Sequence, residues 1–209
     1  MKSKVLVISK VLNKFFPTVS FPLYYINPFT LLISVMLSAN TTDLQANIAA
    51  KKLYSLADNA KEMSKLSLEE IENAIFCCGL YRTKAKNILN TASIITNKYK
   101  GKIPKSRKAL MSLPGVGRKT ANIILSELFD IDTFPVDTHI FRLAKRWKIT
   151  AGKSILQAEE DLKKNFSKNT WRKRHLQMIY FGRKFCTAKR HKVENCPMCS
   201  SLMKESVLV

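Results

Sequence analysis

LPGVGRKTANIILSELFDIDTFPVDTHIFR, residues 113–142, is the stretch on which the reading of this chain turns. Pro114 lacks a backbone N–H, and Gly115 and Gly117 suit conformations closed to residues with a Cβ, so no helix continues through them. Helical periodicity restarts at once, with Ala121, Ile124, Leu125 and Leu128 on one face, and a helical run over 106–112 precedes the turn. The pattern predicts helix, four-residue hairpin, helix. At the head of the second helix, bare glycine amides and the helix macrodipole favour an anion, and a nucleic-acid phosphate fits that description. On the glycines alone, a plain helix stop and restart explains the stretch equally well.

The flanking residues add chemistry. Lys119 stands in the first turn of the second helix, where a cation opposes the dipole by roughly 0.3–1 kcal/mol. Such a placement has a use if the residue is a nucleophile, because a desolvated, neutral amine attacks a sugar or carbonyl carbon to form a Schiff base. Asp137 follows in PVDTH, just before a run with Ile140, Leu143, Ala144 and Trp147 on one face. Aspartate is a favoured N-cap, and a cap holds a carboxylate in a fixed place, so capping and a chemical role are compatible.

Outward from this stretch, the composition points to a polyanionic partner. The 209 residues include 36 Lys and Arg against 15 Asp and Glu, a formal net charge of +21 and a pI near 9.9. A balance so basic implies nucleic acid or an anionic membrane surface. No segment reads as spanning a membrane: the longest apolar run, from Phe29 to Ala39, is interrupted by Thr30, Ser34 and Ser38 and falls short of the ~20 residues a span needs. It reads instead as a buried helix. The N-terminal MKSKVLVISKVLNKFF has too short an apolar core for a secretory signal, broken by Lys10 and Lys14, so the protein is expected to stay in the cytoplasm where it is made. Five cysteines in such a chain argue against a disulfide framework.

Periodicity places an amphipathic helix over 4–16 and further helices at about 28–39, 42–56, 60–65, 67–78, 82–98, 106–112, 117–129, 138–147, 154–166 and 171–184. Ser67-x-x-Glu70 forms a capping box at the head of one. Sustained period-two alternation, internal repeats and low-complexity tracts are all lacking, so the fold class is all-α.

LPGVGRKTAN followed by VDTHIFR resembles the helix-hairpin-helix, Gly-Pro-Asp type of DNA base-excision glycosylase, and within that family the endonuclease III type. INPFTLLISVMLSANTTD, GLYRTKAKNIL and HLQMIYFGRKFC stand in the family's order, so the resemblance covers nearly the whole chain. It implies a six-helix domain over 22–132 containing the hairpin motif (106–129), and a second helical domain formed by 1–21 with 133–209, the catalytic residues facing the cleft between them. Lys119 falls on the family's Schiff-base lysine and Asp137 on its catalytic aspartate. Gly115, Val116, Gly117 and Arg118 fall on the DNA-backbone hairpin. Asn40 and Leu80 fall on loops that push into the duplex where a base has been flipped out, and filling the gap offsets a few kcal/mol of lost stacking. Asn40 stands where the family has Gln, one methylene longer. Without the resemblance, Asn40 reads as a helix terminus, Leu80 as core, and Asp43 as an N-cap or first-turn acid.

The implied activity is removal of oxidised pyrimidines from double-stranded DNA by a monomer that then cuts at the abasic site. Two alternatives stand beside it: a hairpin protein that binds DNA without chemistry, and a monofunctional glycosylase of the same fold, which would lack the lysine. His139 and His175 read as structural, and Cys77 and Cys78 as small core residues.

The C-terminal cysteines leave three readings open. The family holds a [4Fe-4S] cluster with cysteines spaced C-x6-C-x2-C-x5-C. Aligned without a gap on Cys186, the chain matches again only at Cys196, while the other two positions hold Val193 and Leu202. Cys199 and His191 lie nearby, and Cys196-Pro-Met-Cys199 has a spacing common at metal sites. An atypical cluster, a Cys3His zinc site at Cys186, His191, Cys196 and Cys199, and no metal at all are each compatible with this pattern.

The charge balance carries its own test: affinity for undamaged duplex is expected to fall roughly 10³-fold or more between about 50 and 200 mM salt if about six phosphates are neutralised. Titrations by fluorescence anisotropy at several salt concentrations measure it, and a flat response removes the electrostatic argument.

Overall fold

The computed structural model describes residues 2–207, and among these it contains helices and no strand. In chain order they are α1 (Lys2–Phe15), α2 (Pro28–Ser38), α3 (Asp43–Leu56), α4 (Ala60–Met63), α5 (Leu68–Ile75), α6 (Tyr81–Tyr99), α7 (Arg107–Met111), α8 (Arg118–Phe129), α9 (Thr138–Arg146), α10 (Ile155–Asn165), α11 (Trp171–Lys184) and α12 (Pro197–Val207), with a 3₁₀ turn at Lys168–Thr170 before α11. Local chemistry sets most starts. Asn27 and Ser67 form capping boxes with Thr30 and Glu70, and Thr42, Asn59, Ser106 and Ser154 each accept a backbone N–H with the side chain.

Two regions differ from the periodicity by more than two residues. The helix expected over 67–78 stops at Ile75, and Phe76 to Leu80 turn instead, with the Cys78 N–H donating to Ile75. Cys77 is consequently exposed, against the expectation of core, while Cys78 is buried. The tail beyond residue 184, expected to lack a helix, contains α12. Its signal was Pro197 at the first helical position followed by Met198, Cys199 and Leu202 at helical spacing.

The chain divides into two compact units. One, Pro22–Ile131, holds α2 to α8. Its centre is α2, buried from Phe29 to Leu37 as the interrupted apolar run predicts, packed on α3, α6 and α8. The polar interruptions are bonded internally: Tyr54 donates its hydroxyl proton to the carbonyl of Thr30 and pairs with the hydroxyl of Ser34. No described helix is long and apolar enough to cross a membrane.

The other unit joins the two chain ends, through Phe21 and from Asp132 onward. Its core contains Ile8 and Leu12 of α1, Phe134, Ile140, Leu143, Trp147, Leu162 and Phe181. Gln177 of α11, fully buried, attaches α1 by polar contacts: its amide nitrogen donates to the carbonyl of Phe16 at 2.7 Å and to the Asn13 side chain at 3.1 Å. Its amide oxygen accepts from Arg174 at 2.6 Å. His175 is buried and donates from Nδ1 to the carbonyl of Pro135 at 2.8 Å, a structural bond.

Because Gln177→Leu strands the carbonyl of Phe16 and part of Arg174 without partners, it is expected to lower stability by about 1–3 kcal/mol in denaturant unfolding. Wild-type stability in that variant would mean α1 is held by apolar packing alone.

Candidate active site

The hairpin spans Ser112 to Gly117 between α7 and α8, two residues longer than the four expected. Gly115 has φ +76, a left-handed conformation that favours glycine, and a Cβ there would lie 2.8 Å from the amide nitrogen of Asn87. Gly117 is different. Its backbone is extended, at φ −87, and a Cβ would meet open space, so conformation does not demand glycine there. As the N-cap of α8 it contributes no side chain to the helix's first amides. Val116, expected to offer its amide to DNA, is buried and donates that N–H to the carbonyl of Leu113 at 3.1 Å. Thr91 of α6 donates to the carbonyl of Pro114, pinning the turn to that helix. Arg118 and Lys119 open α8, and Lys119 is exposed, against the expectation of a desolvated amine.

Asn40 and Leu80 occupy two further turns of the same unit, and both are left-handed, with φ +52 and +59. For Leu80 this backbone costs roughly 1–2 kcal/mol, whereas asparagine tolerates it. Leu80 is 65% exposed, which removes the reading as core; it projects an apolar side chain into solvent from a strained turn. Gly79 makes the turns meet: a Cβ on it would stand 2.7 Å from the carbonyl oxygen of Asn40. Its N–H donates to Thr41 Oγ1 at 3.2 Å. Asp43 begins α3 behind the Thr42 cap.

Lys84, which sequence reasoning missed, ties these turns to α2. Its ammonium is buried and donates to the carbonyl of Leu37 at 2.8 Å and to Thr41 Oγ1 at 2.7 Å. Burial holds this lysine below the ordinary range and, for the neighbouring Cys78, pushes the thiol up to about 11. The signal was available, since Lys84 lies in helical register with the buried Ile88, Thr91 and Ile95. Asn40, Leu80, Lys84, Asn87 and Gly115 line one small pocket.

In the unit of the chain ends, Asp137 is the N-cap of α9, its Oδ1 accepting the N–H of Ile140 at 2.8 Å. The exposed His139 contacts Arg142, at 3.3 Å, and not the cap. On the same helix, Arg142 Nη2 donates to the carbonyl of Cys186, and Arg146 Nη1 donates to Cys186 Sγ at 3.3 Å and to the carbonyl of Thr187 at 2.9 Å. Burial lowers the pKa of Arg142, with the like charge of Arg146 adding to the effect. Next to these arginines, one ligand atom from each of Cys186, His191, Cys196 and Cys199 lies within 4.8 Å of the others. Val193 is exposed and Leu202 packs on the unit's core, so neither belongs to the group.

Comparison with known proteins agrees with this architecture. Residues 33–168 match the model of the HhH-GPD superfamily base excision DNA repair protein. Endonuclease III of Escherichia coli (strain K12) is 40% identical over 195 residues, covering 93% of this chain and 92% of that protein. Endonuclease III of Bacillus subtilis (strain 168) is 39% identical over 186 residues, covering 88% and 85%. A solved endonuclease III trapped as a covalent intermediate with DNA superposes with a TM-score of 0.90 at 37% identity, covering 99% of each chain. On the helix-hairpin-helix, the capped aspartate and this similarity over nearly its full length, the chain belongs to the endonuclease III branch of the HhH-GPD superfamily of base-excision DNA repair proteins.

Proposed function

We propose that this chain removes oxidised pyrimidines from double-stranded DNA and cuts the strand at the resulting abasic site through a lysine Schiff base. The observation that carries the reading is the joint presence of an exposed lysine at the head of the hairpin's second helix and an aspartate fixed as a cap, in a chain about 40% identical to endonuclease III. The solved relative was captured covalently joined to DNA, as a nucleophilic lysine predicts.

The hairpin supplies the grip on a backbone phosphate. With the Val116 amide engaged inside the turn, the anion falls to the exposed Gly115 and Gly117 and to the head of α8, which no side chain caps. Arg118 adds charge there, and the basic surface supplies the salt-sensitive affinity. Leu80 and Asn40, held side by side by the approach of Gly79, fill the space left when a nucleotide leaves the stack. Because the two turns are already fixed against each other, little ordering remains to be done on binding.

The chemistry then belongs to two side chains. The amine of Lys119, once it has given up its proton, attacks C1′ of the extruded nucleotide and the C1′–N bond breaks, its electron pair leaving with the base. Asp137 stabilises the cationic sugar and moves protons between the amine, the sugar and the departing base. Ring opening gives the protonated Schiff base at C1′. Loss of a proton from C2′ then expels the 3′ phosphate by β-elimination, and hydrolysis releases Lys119. The site of action is the cell's DNA, in the cytoplasm. A binding protein without chemistry would need neither the amine nor the carboxylate.

Borohydride is expected to link the wild-type protein covalently to a duplex containing an abasic site, and Lys119→Ala to abolish the link while duplex binding remains. Trapping that survives in the variant would show that another amine is the nucleophile. Asp137→Asn retains a capping side chain, so stability is expected to stay within about 1 kcal/mol while single-turnover base removal falls by roughly 10²-fold or more. Equal losses of binding and turnover would reduce Asp137 to a structural cap.

A further inference from the structure

The donor set at the C-terminus does not fit the family's four-iron cluster. Each iron of such a cluster carries its own protein thiolate, so the four ligands diverge from separate corners and their sulfurs stand well apart. Here three sulfurs and an imidazole nitrogen crowd within 4.8 Å of one another. The Nε2 of His191 lies 3.6 Å from Cys186 Sγ and 3.6 Å from Cys199 Sγ. Sulfur at about 2.3 Å and nitrogen at about 2.0–2.1 Å from one tetrahedral ion are themselves separated by about 3.6 Å.

The spacing in the sequence agrees. If the family's C-x2-C pair is matched to Cys196 and Cys199, the loop after Cys186 has nine residues where the family has six. The family's last cysteine then falls on position 205, a glutamate in the sequence. The longer loop contains His191, and it brings an imidazole to the place the missing thiolate leaves open.

We propose that Cys186, His191, Cys196 and Cys199 bind a single tetrahedral zinc ion in place of the iron–sulfur cluster. The three cysteines are buried, and all four donors come from the protein, leaving no open position for substrate, which makes the site structural. Three thiolates and a neutral imidazole around a divalent ion leave one net negative charge. Arg146 balances it from 3.3 Å and, through its bond to Thr187, fixes the start of the loop. Arg142 holds the carbonyl of Cys186 from the same helix. The ion therefore joins α9, the 187–195 loop and the first turn of α12. The proposal does not rest on the glycosylase reading and stands or falls separately from it.

Metal analysis of the full-length protein, purified anaerobically from cells supplied with both iron and zinc, is the deciding measurement. One zinc per chain and a colourless solution are expected. Replacement by cobalt(II) should give the intense visible bands of a tetrahedral thiolate site, and His191→Ala and Cys199→Ser should each lose them. Stripping the metal with a chelator should lower the melting temperature, since the ion's binding energy is folding energy for the tail. A brown protein with four irons and acid-labile sulfide per chain would overturn the proposal. So would a metal-free protein whose melting temperature neither zinc nor chelator moves.

Discussion

A buried ammonium organises the turns at Asn40 and Leu80. Taking the charge of Lys84 out of water costs several kcal/mol unless its protons find acceptors, and two acceptors are the carbonyl of Leu37 at the end of α2 and the hydroxyl of Thr41 in the turn beyond it. The same hydroxyl receives the N–H of Gly79, which brings the second turn against the first until Gly79 touches the carbonyl of Asn40. Asn87, one helical turn along α6 from Lys84, stands against Gly115 of the hairpin. One face of α6 thus positions three separate turns, and the two that carry exposed side chains, at Asn40 and Leu80, are held in left-handed backbone, which asparagine tolerates and leucine does not.

The second unit follows a similar logic with a different anchor. Asp137 opens α9 as its cap, so the carboxylate is as fixed as the helix to which it belongs. The apolar face of α9 is buried through Ile140, Leu143 and Ala144, and its polar side sends Arg142 and Arg146 to the Cys186 turn. Whatever steadies that turn steadies α9 and, at its other end, the carboxylate. The proposed zinc would thus have a structural purpose with no part in the chemistry.

The basic surface serves a different need from either anchor. Lysines and arginines in excess supply attraction to any duplex, without choosing a site. Selection has to come from extruding a nucleotide, which is easiest where pairing or stacking is already weakened, and from groups rigid enough to occupy the gap. The strain stored at Leu80 is consistent with that division of labour.

By itself the sequence determined the helical class, nearly every helix start, the hairpin between α7 and α8, and the aspartate cap at the head of α9. These depend on period, on caps and on residues whose backbone or charge is unusual, all of which act within a few neighbours along the chain. Tertiary structure decided the rest. Leu80 reads as core in any periodicity argument, and only the approach of Gly79 to Asn40 turns it outward. The Val116 amide looked available until its bond to Leu113 was seen, and Gly117 proved to need no special conformation. Lys84 passed unnoticed because a lysine on an apolar face acquires meaning only from acceptors more than forty residues away in sequence. The four C-terminal donors left three readings open because spacing alone does not measure distance; folding the loop between Cys186 and Cys196 is what brings sulfur and nitrogen to the separation of ligands on one ion.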